Sequence, residues 1–81
     1  MEVKIEHFVE GFKFHFKNEY NSNVGTVLKI DKLSADPYFI IWENRPYPIN
    51  YSQTIISIWL RKKYITPMSF VDVGLICKKN K

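Results

Sequence analysis

Residues 23–44 read NVGTVLKIDKLSADPYFIIWEN, and this stretch decides the fold. It holds two β-type apolar segments, residues 24–30 and 38–42, parted by the turn-forming Leu33-Ser34-Ala35-Asp36-Pro37. β-branched and aromatic side chains fit a pleated, half-buried surface. Asp36 and Pro37 supply the local acceptor and the fixed φ that turns use. Such a pattern belongs to a small, strongly bent β-sheet. Gly25, near the start of the first segment, predicts a bulge or a close backbone approach. Leu28 and Ile30 are expected to face one way, and Val27, Lys29 and Asp31 the other. Residues 38–43 are nearly all apolar, as in a central strand covered on both faces.

Working outward, Val3 and Ile5 alternate with Glu2, Lys4 and Glu6, and Phe12, Phe14 and Phe16 alternate with Lys13, His15 and Lys17. Both runs have the period of a half-buried strand. Their phase changes near Gly11, where a bend, bulge or turn would absorb it. The asparagine-rich residues 18–23 read as a loop. Residues 44–48 contain Pro46 and Pro48 and read as a turn or irregular link. From Ser52 to Lys62 the pattern predicts a short helix. Ser52 is the cap, and Ile55, Ile56, Trp59 and Leu60 share one face. The β-branched Ile55, Ile56 and Ile58 keep strand as a competing reading, and isoleucine at position 55 leaves no capping box. Pro67 blocks continuation of the helix, and residues 70–77 read as a last strand.

A chain of 81 residues makes one domain with a modest core. Thirteen aromatic residues can fill that core with few side chains. One cysteine, Cys77, excludes an intrachain disulfide and any disulfide scaffold. The N-terminal MEVKIEHF does not read as a signal peptide, and the longest apolar run, residues 38–42, is far short of the roughly 20 residues a membrane helix needs. The expectation is a soluble cytoplasmic protein with no membrane partner. Net charge is +4, but Lys78, Lys79 and Lys81 supply three of those charges. A terminal lysine run suits a solvated end, and the basic balance also suits nucleic acid. Ala35 is the only alanine, while lysine, isoleucine, asparagine, phenylalanine and tyrosine are abundant. That usage fits an AT-rich genome, such as that of a low-GC bacterium, its phages or a large virus.

The run Gly25-Thr26-Val27-Leu28-Lys29-Ile30-Asp31, followed by Pro37-Tyr38-Phe39-Ile40-Ile41-Trp42-Glu43, resembles the SH3-like barrels of the KOW and Tudor type, including small bacterial and phage members. Glu10-Gly11-Phe12-Lys13-Phe14 resembles their first strand, with Phe12 where an acidic residue is usual. The resemblance covers about residues 9–50 at the level of fold. It implies a mainly β protein: a small SH3-like barrel of four or five strands with one short helix, spanning residues 1–77 and followed by a basic tail, residues 78–81. It also implies a binding module, since members bind RNA, DNA, ribosomal or polymerase surfaces, or peptide tails.

Three groups of residues are candidate sites. Lys13, His15 and Lys17 share one strand face opposite three phenylalanines. The stripe suits phosphate contact, and equally a solvated face that blunts an edge. Arg61, Lys62 and Lys63, bracketed by Trp59 and Tyr64, suit a phosphate grip beside a stacking ring, and equally a helix end where the dipole favours cations. Tyr38, Tyr47 and Tyr51, with Trp42, suit an aromatic cage or a groove for a proline-rich peptide, and equally core packing. His7, His15 and Cys77 lack zinc spacing. No paired carboxylates, nucleophile motif or phosphate-binding glycine loop is present. The expectation is therefore a non-enzymatic nucleic-acid-binding module without a cofactor, RNA favoured over DNA, possessing the character of a phage accessory protein. The alternative is a protein-interaction module or inhibitor that docks on a host protein through an aromatic patch or a strand edge.

Overall fold

Three phenylalanines at alternate positions give Phe12–Lys17 (β1) one apolar face, and the strand buries Phe12 and Phe14 while leaving Lys17 exposed. The computed structural model describes residues 3–71. After β1 the chain forms Ser22–Ile30 (β2), Tyr38–Trp42 (β3), Ile49–Tyr51 (β4), the helix Gln53–Arg61 (α1) and Ile65–Phe70 (β5). All pairings are antiparallel, in the sheet order β4-β3-β2-β1-β5. The first four strands thus form a meander, and the fifth returns to the far side of β1. The protein is mainly β, with 42% of the described residues in strand and 17% in helix, the 3-10 turn included.

One face of this sheet carries the core. Phe12 and Phe14 of β1, Val27 of β2, Tyr38, Ile40 and Trp42 of β3, and Ile65 of β5 are all buried there. Val3 and Phe8 come in from the N-terminal segment and Ile56 from α1. Phe8 lies 5.2 Å from Phe12, 5.0 Å from Phe14 and 6.4 Å from Tyr38, so a single side chain knits three rings together. Ring pairs of this kind add to the stabilisation that burial alone gives.

Several expectations are corrected. Val3 and Ile5 do not form a strand. Val3 is buried in the core, and Ile5–His7 make one 3-10 turn, with the Lys4 N–H donating to His7 Nδ1 at 2.9 Å. A period-two run of five residues with only two apolar positions is too short to separate a strand from an extended entry into a single turn. The phase change falls where it was expected. Gly11 has φ +91°, and its N–H and C=O bind Val27 O and Val71 N at 2.8 Å each. A side chain there would place Cβ 2.5 Å from Val71 O.

The loop expected over residues 18–23 is a tighter turn, because β2 already starts at Ser22. The bulge in β2 lies at Leu28 rather than Gly25: Val27 pairs with Ile40, and Lys29 with Phe39. The extra residue resets the alternation, so Val27 and Ile30 both join the core side instead of facing apart. Lys29 stands outside, 4.6 Å over the Phe39 ring. β3 is not covered on both faces. Tyr38, Ile40 and Trp42 are buried, while Phe39 and Ile41 are half-buried.

The helix forms where the pattern predicts it, with Ser52 as cap. Ile56 is its fully buried residue, so the helical face outweighs β-branched propensity once there is a sheet to pack on. The last strand begins at Ile65, not at residue 70, and it contains Pro67. β5 is an outer strand with a register irregularity opposite Lys13 and Phe14, and an edge with a bulge tolerates a proline. The rest of the expected strand, from residue 72, and the basic tail lie outside the described residues.

Candidate functional site

Register arithmetic builds the site. β1 and β2 pair so that Phe16 faces Asn23 and Lys17 faces Ser22. β2 and β3 pair Gly25 with Trp42, and the Glu43 N–H donates to Val24 O at 3.0 Å. Asn23 and Asn44 therefore meet just past the paired strands, and Asn23 Nδ2 donates to Asn44 Oδ1 at 2.7 Å. The turn before β2 is fixed by Asn18. Its Oδ1 accepts from the N–H groups of Tyr20 and Asn21 at 2.8 and 2.7 Å. Such self-bonding is the reason asparagine suits turns.

These loops rim a cleft of about 330 Å³ whose floor is aromatic. Phe16, Trp42, Tyr51 and Trp59 form the floor, while Asn18, Asn21, Ser22, Asn23, Asn44 and Arg45 stand around it. Trp59 comes from α1, and its ring centroid lies 4.9 Å from those of both Phe16 and Tyr51 and 6.0 Å from that of Trp42. All three contacts are edge-to-face, the arrangement the ring quadrupoles favour. Trp42 Nε1–H donates to Tyr51 Oη at 2.7 Å. Burial pushes the Tyr51 phenol above its ordinary pKa, against smaller opposing effects of the Trp42 hydrogen bond and the Arg45 charge. Tyr51 is thus protonated at neutral pH and keeps its own O–H as a donor. No residue lining the cleft is acidic, and Arg45 is cationic.

The two basic groups converge in part. The Lys17 N–H donates to Tyr64 O at 2.9 Å, which ties the end of β1 to the turn between α1 and β5. Lys17, Arg61, Lys62 and Lys63 are all exposed around that tie. Tyr64 is half-buried, its ring 5.6 Å from Phe16. Lys63 has φ +61°, a left-handed conformation that lysine adopts only with strain. The other end of the β1 stripe differs. Lys13 lies 3.8 Å from the exposed Glu43 carboxylate, and His15 Nε2 is hydrogen-bonded to Ser22 Oγ at 2.7 Å. Lys13 and His15 are therefore engaged within the sheet surface, whereas among the described residues Lys17, Arg61, Lys62 and Lys63 make no salt bridge.

The aromatic group expected from the sequence is divided. Tyr38 and Tyr51 are cross-strand partners, yet Tyr38 is buried against Phe8 and belongs to the core. Burial raises its pKa as well. Tyr47 is 75% exposed in the β3–β4 link and does not line the cleft. Only Tyr51 and Trp42 of that group contribute to it. From the sequence Phe16 reads as core and the rim asparagines as turn residues, while Trp59 reads either as core or as a stacking ring beside the basic group. Their convergence follows from strand register, which a single sequence does not display.

No protein-family model matches the chain, and neither a curated protein nor a solved structure matches it. Among the described residues, no group of three or more histidine, cysteine or acidic side chains could hold a metal ion. Among the same residues, no helix is long and apolar enough to cross a membrane.

Proposed function

We infer that this chain is a non-enzymatic nucleic-acid-binding module built as a small SH3-like barrel, and that single-stranded RNA is its favoured partner. The observation that carries the reading is the tie between Lys17 and Tyr64. It collects Lys17, Arg61, Lys62 and Lys63 at one end of the sheet, beside a cleft without acidic lining. Four neighbouring cations attract a phosphate backbone, and the nearby aromatic floor suits single strands rather than a stacked duplex. RNA is favoured over DNA because its loops and ends expose unpaired nucleotides as a matter of course. Lys63 adds support. Glycine would hold its left-handed backbone with less strain, so the lysine side chain serves something other than the turn. A cytoplasmic setting in a phage or low-GC bacterium completes the reading.

The test compares binding of labelled single-stranded RNA to the parent and to Lys17→Ala/Arg61→Ala/Lys62→Ala/Lys63→Ala. All four side chains are exposed, so the fold should survive, as circular dichroism can verify. The expected result is a loss of about tenfold or more in affinity at low salt. Equal binding by the two proteins would reject the reading.

A protein partner is the second reading, and one observation favours it. β5 is an outer strand, and its Met68 and Phe70 are 52% and 63% exposed. An apolar strand edge of this kind can accept another chain. RNA-independent capture of a host protein, insensitive to salt, would support that reading over the first.

A further inference from the structure

We propose that the aromatic cleft receives one unstacked, carbonyl-bearing base, of the uracil type, from a single-stranded nucleic acid. The proposal rests on the nucleic-acid reading and assigns the cleft a ligand. Its floor offers ring surface: Trp59, Tyr51 and Phe16 are only half-buried although each is held by two or more ring contacts. A flat heterocycle stacks on such a floor at little entropic cost, because the rings are already fixed.

The polar groups around the floor are mostly donors. Tyr51 Oη accepts from Trp42 and so presents its own O–H. Asn44 Oδ1 accepts from Asn23 Nδ2, and both N–H bonds of Asn44 Nδ2 remain to donate. Asn18 Oδ1 is filled by two backbone N–H groups, which leaves its amide nitrogen as well. Arg45 donates only. A ligand suited to this set is rich in carbonyl oxygens, which uracil has and adenine lacks. The absence of an acidic lining and the presence of Arg45 argue against a cationic occupant such as an alkylammonium group. A base in the cleft would place its flanking phosphates toward Arg45 and the cations around Lys17.

Both tryptophans of the chain line this cleft, so intrinsic fluorescence reports its occupancy directly. The experiment titrates the whole protein with three oligomers of equal length and charge: oligouridine, oligoadenosine and an abasic phosphate backbone. Anisotropy of a labelled strand measures binding, and tryptophan emission measures entry into the cleft. Oligouridine should bind about tenfold more tightly than the abasic strand, with quenching that saturates together with binding. Oligoadenosine should fall between them. Asn44→Ala, at an exposed position, should lose several-fold for oligouridine and leave abasic binding unchanged. Equal affinity for oligouridine and the abasic strand, or binding without any change in tryptophan emission, overturns the assignment of the cleft while the nucleic-acid reading stands. No binding of any oligomer overturns both. Quenching by a proline-rich peptide, with no response to oligouridine, assigns the cleft to a protein partner and likewise overturns the proposal.

Discussion

Replacing Gly25 with alanine tests how the core is built. Gly25 sits in β2 between Phe14 of β1 and Trp42 of β3, paired regularly with both. A Cβ there would lie 2.9 Å from Phe14 Cζ, 2.9 Å from Trp42 Cζ3 and 3.0 Å from Trp42 Cε3. Carbon atoms in contact prefer about 3.5–4.0 Å, so each ring would have to retreat by roughly 0.5–1 Å. Both rings are held by their neighbours. Phe14 is fully buried and Trp42 is 6% exposed, and the two rings are themselves in edge-to-face contact at 5.7 Å. Overpacking of this kind costs about 1–3 kcal/mol. Alanine recovers about 0.5–1 kcal/mol of the backbone entropy that glycine loses in a strand. The central values of the two effects leave a net loss of about 1 kcal/mol, or a fall of roughly 4–8 °C in Tm for a domain of this size. Thermal denaturation followed by circular dichroism measures it. A second variant isolates the cause. Phe14→Leu frees space beside Gly25, so Gly25→Ala should cost less in that background than in the parent. An unchanged or higher Tm for Gly25→Ala, or strict additivity with Phe14→Leu, would refute the steric argument.

Three further outcomes follow from the same structure. Ser52→Ala should cost about 1 kcal/mol, and Ser52→Gly only a few tenths, because the Ser52 hydroxyl caps the Ile55 N–H at 3.2 Å; chemical denaturation distinguishes them. Burial raises the Tyr51 and Tyr38 pKa above 10.0, so the unfolded chain loses these protons first as pH rises. Stability should hold below about pH 10 and fall as pH climbs through the raised values, with Tyr51→Phe shrinking the fall; melting curves against pH, alongside tyrosinate absorbance, give the result. Lys63→Gly should raise stability by about 0.5–1 kcal/mol by relieving the left-handed lysine, yet weaken RNA binding several-fold. Concordant changes in stability and binding would separate Lys63 from the RNA surface.

The elements that carry a strong local signal are the ones a reader of the sequence can place. Phe12, Phe14 and Phe16 mark β1 because their period is unbroken. Ser52 followed by Ile56 and Leu60 marks α1 because cap and face agree. The failures have a common physical source, which is that strand register and bulges are tertiary properties. Leu28 could not be known as the bulge, and without it the faces of Val27 and Ile30 come out opposed. β4 is three residues long and gains its identity only from pairing with β3. Pro67 reads in the sequence as a stop for the helix, yet it lies within Ile65–Phe70, where the strand's outer position accepts it. The candidate site was legible in its cations and, for its cleft, only in Trp42 and Tyr51. Lys17, Arg61, Lys62 and Lys63 stand out as charges in any reading. Asn23 and Asn44 looked like separate turn residues until two registers brought them within 2.7 Å of each other.

The most direct measurement of the central claim is the salt dependence of single-stranded RNA binding. On the proposed reading, Lys17, Arg61, Lys62 and Lys63 would make three or four phosphate contacts, each releasing condensed counterions. The logarithm of the binding constant should fall against the logarithm of salt concentration with a slope of about −2 to −3 for a single strand. Alanine at those four positions should remove most of that slope and leave only the part carried by Arg45. A parent slope already near zero, or one that the four substitutions leave unchanged, would contradict the claim that this end of the sheet is a nucleic-acid surface.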